Sequence, residues 1–147
     1  MASRRKSREF ALQMLFEWEV GRHSPVKVVA SFLPEHKADP EVKEFARRLF
    51  EGTVAEAGPI DRLLRRHAEH WKLERMAAVD RNVLRLGLYE LMHCPETPAA
   101  VVINEALELA RRFSTAESVE FVNGVLDAVR KALPQASVTS GRVESAG

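Results

Sequence analysis

The sequence predicts an all-α fold, about seven helices in two packed helical sub-bundles, on three observations. Apolar residues recur at three- and four-residue spacing almost from end to end, helix start and stop signals punctuate the chain regularly, and no stretch combines strict alternation with β-branched enrichment. The chain has 147 residues, 46% hydrophobic and 29% charged, enough to bury a core and too apolar for a disordered polymer.

The first helix is predicted from about Ser3 or Arg4 to Val20, with Phe10, Ala11, Leu12, Met14, Leu15 and Trp18 on its apolar arc. Phe16 falls outside that arc, on the side of Glu9 and Gln13. Ser24-Pro25 and Asp39-Pro40 each read as an N-cap followed by a proline whose missing N–H costs nothing at the first helical position. They open a short helix through Phe32 and a longer one through Ala57. Gly58-Pro59 ends that helix, starts the next and divides the two sub-bundles. A helix from about Glu74 to His93 carries apolar residues over more than half its circumference, which predicts the most buried element, with Arg81, Asn82, Arg85 and Tyr89 on the remaining strip. Asp80 and Glu90 project among its apolar positions and therefore need an arginine or helix-start N–H groups as partners. Ten residues apart, they are separated by about 15 Å along the axis, too far to act as a catalytic pair.

CPETP breaks the chain before a helix from about Pro98 to Phe113. Ile103, Ala106, Leu107, Ala110 and Phe113 face inward on it, Glu105, Glu108, Arg111 and Arg112 face out, and Glu108 supports Arg112 four residues on. Ser114 and Glu117 form an S-x-x-E capping box for a last helix ending near Ala132. Its arc is Val119, Val122, Val125, Leu126 and Val129, with Phe121 at the margin beside Gly124. A glycine inside a helix costs about 1 kcal/mol relative to alanine and marks a close approach by another helix or a ligand. Residues 1–133 thus read as one domain and 134–147, small and polar, as a flexible tail.

Several chemistries have no motif here. There is no P-loop, Rossmann glycine pattern or nucleophile elbow, so the expectation is a protein that is not an enzyme and takes no cofactor. His67 and His70 alone make a poor zinc site, so no metal is expected, and the single Cys94 points to a reducing compartment. No run of about 18 apolar residues is present, and glutamates interrupt the stretch after the basic start where a signal peptide would be apolar, so the expected location is the cytoplasm.

What remains is charge. Arg4, Arg5, Lys6 and Arg8 crowd the first eight positions with no acid among them, although the formal net charge is only +1. Such a cluster is either a solvated terminus or a polyphosphate contact. Phe16 and Phe121 at the edges of apolar arcs are either the rim of the core or ring faces for unpaired bases.

Four blocks carry a family likeness. RRKSREFALQMLFEWE, VDRNVLRLGLYEL, INEALELARRFS and FVNGVLD, in this order and spacing, resemble the NusB family over about Arg4 to Leu133. The resemblance implies an all-helical protein that binds boxA RNA of ribosomal RNA leaders with the ribosomal protein NusE. It also implies work alongside NusA, NusG and RNA polymerase to suppress termination and aid ribosomal RNA processing. On the family pattern the RNA contacts fall on Arg4, Arg5, Lys6, Arg8, Phe16, Phe121 and Asn123, and the NusE-facing surface on Glu74, Asp80 and Arg81. Phe16 stands where the family often has tyrosine, which keeps a stacking face and drops one hydrogen bond; Ser7 stands where alanine is common. Two other readings stay open: the RNA-recognition region of a ribosomal RNA cytosine methyltransferase, and an adaptor that binds protein alone. Four neutralised phosphates would give a slope near −3 in log K against log salt.

Overall fold

A computed structural model describes the backbone of residues 2–68 and 73–133, with side chains from residue 4 onward. His70 and the expected tail 134–147 lie outside the described residues. Among those residues the chain forms seven α-helices and one 3₁₀ turn, with no strand.

α1 (Ala2–Glu19) buries Phe10, Ala11, Leu12, Met14 and Leu15, as its arc requires. α2 (Pro25–Glu35) starts at Ser24, whose Oγ accepts the Lys27 N–H at 3.3 Å, and runs one turn past Phe32 with Pro34 inside its final turn. α3 (Pro40–Ala55) follows Asp39, which occupies the N-cap without a side-chain cap bond, so Pro40 supplies the start signal. The chain kinks at Glu56, and α4 (Ala57–His67) takes Gly58 and Pro59 into its first turn, where N–H groups lack intrahelical partners anyway. The expected long helix from Glu74 is instead a 3₁₀ turn, Leu73–Arg75, and then α5 (Ala78–His93). α6 spans Ala99–Phe113 and α7 Ala116–Ala132. The α7 cap differs from the expected box: Thr115 Oγ1 accepts the Ser118 N–H at 3.1 Å, and Ser114 instead closes α6.

α1, α2 and α3 form one sub-bundle, α4 to α7 the other, and α5 touches α1, α3, α4, α6 and α7. α3 reaches α5 closely enough that a Cβ on Gly52 would sit 2.2 Å from the Tyr89 ring, so any larger residue there would have to displace that ring. Val83, Leu84, Leu86, Leu88 and Leu91 of α5 are buried in the shared core.

The strip of α5 left over by periodicity is not a solvent face. Asn82 is fully buried and Arg85 nearly so. Glu19 on α1 receives both Arg81 and Arg85, at 2.8 and 2.6 Å, while Arg85 also clamps Asp61 of α4 at 2.8 and 3.0 Å. Arg81 Nη1 further donates to the carbonyls of Leu73 and Met76, fixing the 3₁₀ turn against α5. This polar seam joins the two sub-bundles.

Candidate nucleic-acid interface

Four ion pairs set the directions of α5 and α6 against α1. α5 runs antiparallel to α1, since Arg8 meets Glu90 and Glu19 meets Arg81. α6 runs parallel to α1, since Arg5 meets Glu105 and Glu9 meets Arg112. α1 and α6 therefore lie alongside one another over α5, bridged by side chains of opposite charge.

The expected free cationic cluster is largely partnered. Arg8 departs from it altogether: it is 4% exposed, with Nε 2.9 Å and Nη2 2.5 Å from the two oxygens of Glu90, itself 1% exposed. A buried bidentate pair is costly to open, so Arg8 holds α1 on α5 and presents no charge at the surface. Glu90 thus has the arginine partner that burial demands. Arg5 stays half exposed, yet its Nε and Nη2 donate to Glu105 at 3.1 and 2.9 Å. That hydrogen bond holds the Glu105 carboxyl below the usual range, so Glu105 is no outward solvated residue as its spacing suggested. Lys6 is exposed with its ammonium 3.8 Å from Glu9, and the Arg4 guanidinium lies 4.0 Å from the Phe45 ring centroid. Ser7 is buried and donates to the Val42 carbonyl at 2.8 Å, so its hydroxyl ties α1 to α3.

The two expected aromatics differ. Phe16 is 42% exposed on α1, the most open phenylalanine among the described residues. Phe121 is half-buried against the core and lines a cavity of about 330 Å³ with Met76, Asp80, Thr115 and Ser118. Asn123 is exposed beside it, and a Cβ on Gly124 would meet nothing within 4 Å. No neighbouring helix among the described residues therefore explains that glycine.

Asp80 departs from expectation as well. It is 8% exposed, and its two oxygens accept from Ser114 Oγ and Ser118 Oγ, each at 2.7 Å, not from an arginine. Among the expected NusE-facing residues, Glu74 is exposed, with Arg65 3.3 Å away, whereas Arg81 is committed to Glu19 and the 3₁₀ turn.

On α6 the buried set is Val102, Ile103, Ala106, Leu109 and Ala110. Phe113, expected inward, is 38% exposed. Glu108 pairs with Arg111, and Arg112 reaches across to Glu9 instead. Sequence reasoning missed Glu105 and Arg112 as members of this surface because their partners lie a hundred residues away and leave no local signal, and it missed Phe113 by expecting its ring to face inward. Cys94 is buried, and burial pushes its thiol up to about 11, which leaves it protonated and inert at neutral pH. No helix among the described residues is long and apolar enough to cross a membrane.

Fold and surface define a class of all-helical protein whose first helix exposes cations, Arg5 and Lys6, and an aromatic ring, Phe16. The comparisons narrow it: the chain matches the NusB family over residues 5–131 and belongs to that family. It is 54% identical to the transcription antitermination protein NusB of Koribacter versatilis over 89% of this chain and 90% of that one. It is 48% identical to the protein of the same name from Solibacter usitatus over 99% and 100%. The solved structure of T. maritima NusB superposes with a TM-score of 0.81 at 40% identity, covering 87% of this chain and 90% of that one. A crystal structure of antitermination factors NusB and NusE in complex with dsRNA superposes with a TM-score of 0.83 at 27% identity, covering 90% and 99%.

Proposed function

We propose that this chain is a transcription antitermination factor that binds boxA-type RNA of ribosomal RNA leaders jointly with NusE. It acts in the cytoplasm with NusA, NusG and RNA polymerase, suppresses termination and aids ribosomal RNA processing, and performs no catalytic step. Membership of the NusB family supports this, as does the likeness to a NusB that was solved with NusE and dsRNA. The observation from this chain that carries the reading is Phe16, an exposed ring on the helix that also bears Arg4, Arg5 and Lys6.

In this reading Arg4, Arg5 and Lys6 meet phosphates of a single strand, Arg5 by exchanging Glu105 for a phosphate. Phe16 stacks on a splayed base, Phe121 contributes its ring edge, and Asn123 hydrogen-bonds beside Gly124. Arg8 takes a different part from the one its position suggested: it orients α1 through Glu90. Glu74 is the direct NusE contact, while Asp80 and Arg81 shape the surface behind it. Residues 1–133 act as one domain.

The test is a titration of fluorescently labelled boxA RNA, its scrambled control and a boxA duplex, with and without NusE. Tighter binding of the single boxA strand than of the scramble, strengthened by NusE, is the expected result. Equal affinity for boxA and scramble in both conditions overturns the reading.

A further inference from the structure

Phe113 is the second exposed phenylalanine among the described residues, and the RNA reading above leaves it without a part. It is the last residue of α6, immediately after Arg112, whose guanidinium lies 5.6 Å from the Phe113 ring centroid. Arg112 crosses the seam to Glu9 on α1, so the end of α6 is anchored beside the middle of α1. Projected at about 100° per residue, Arg5, Glu9 and Phe16 fall within about 40° of one another, so Phe16 continues the row of α1 that faces α6. It stands two turns, about 10 Å, beyond Glu9.

Charge along this row is uneven. Arg5 is balanced by Glu105, but Glu9 is shared by Lys6 and Arg112, leaving two cations against one carboxylate beside Phe113. An exposed ring at a helix end beside excess positive charge suits a stacked base with its phosphate near the guanidinium. A rim residue would need neither the charge nor the exposure.

We propose that Phe113, with Arg112 above it, is a further stacking platform for single-stranded RNA, and that the α1–α6 seam is the track joining the basic start to Phe16. This rests on the RNA reading above and extends it to residues on another helix.

The experiment measures binding of labelled single-stranded boxA RNA by fluorescence anisotropy for wild type, Phe113→Ala, Phe113→Leu, Phe113→Trp and Phe16→Ala, with melting temperatures recorded for each. Phe113→Ala and Phe113→Leu are expected to weaken binding about five- to hundred-fold with little change in melting temperature, and Phe113→Trp to retain it. Wild-type affinity in Phe113→Ala alongside lost affinity in Phe16→Ala overturns the proposal and leaves Phe113 as rim. Restoration of binding by leucine also overturns it, since packing and not a ring face would then suffice. Absence of RNA binding by every protein, wild type included, overturns the RNA reading itself.

Discussion

At the scale of single residues, Phe16 and Phe121 separate binding from packing to different degrees. Phe16 is 42% exposed, so truncation removes a stacking face and little core contact. Phe16→Ala should weaken boxA RNA binding by about 1–3 kcal/mol while the melting temperature stays near wild type, as calorimetry and titration on the same sample would read. Phe121 packs against the core, and its alanine variant should lose both stability and affinity. Gly124 gives a test of opposite sign. Its missing Cβ would meet nothing within 4 Å, so Gly124→Ala should stabilise α7 by about 1 kcal/mol and raise the melting temperature by a few degrees. A fall in RNA affinity in that stabilised variant would mark α7 backbone as a contact surface. The off-arc position of Phe16 was legible from spacing alone, because a helical period fixes azimuth. The exposure of Phe113 was not, since the last residue of a helix has no following turn to hold it inward.

At the scale of elements, ion pairs between helices fix where α1 sits. Arg8 and Glu90 are 82 positions apart and both buried, and breaking one side of such a pair costs about 3–5 kcal/mol by leaving a charge without its partner. Arg8→Ala should therefore lower the urea midpoint strongly, while Arg8→Met combined with Glu90→Leu should recover most of the loss. The need for a partner at Glu90 was legible in its place among apolar residues; which arginine answers it depends on the docking of α1. The α1–α4–α5 seam adds a pH dependence. Burial alone would raise the Glu19 carboxyl, but hydrogen bonds from Arg81 and Arg85 outweigh it and hold Glu19 below its ordinary 4.5. Hydrogen bonding to Arg5 lowers Glu105 in the same direction. A carboxyl depressed in the folded state stabilises it fully above the unfolded value and loses that contribution as pH falls through the folded value. Stability should thus be flat near neutrality and decline below about pH 4.5, and Glu19→Gln should flatten part of that decline in denaturant titrations.

At the scale of the whole molecule, a formal charge of +1 supplies almost no long-range pull, so RNA affinity rests on what the basic start keeps available. Seven helices were readable because apolar spacing marks each of them, though boundary signals missed the starts of α4, α5 and α7 by one to four residues, and the cations were readable because they crowd into five positions. Their neutralisation was not, because Glu90 and Glu105 arrive from other helices only after folding. This changes the expected salt dependence. Four free cations would give a slope near −3 in log K against log salt for a single strand, at about −0.7 per phosphate. With Arg8 buried on Glu90, three remain: Arg4, Arg5 and Lys6. The expected slope for the protein alone is then about −2, measured by anisotropy titrations across a range of potassium chloride concentrations. Arg5→Gln should reduce its magnitude by less than one full phosphate, since Arg5 must leave Glu105 before it gains RNA. Glu105→Gln should raise affinity and steepen the slope by freeing Arg5. A wild-type slope near −3 would add a fourth cation to the basic start's three, either Arg112 released from Glu9 or Arg8 opened from Glu90, and a slope near zero would remove the phosphates from the interface.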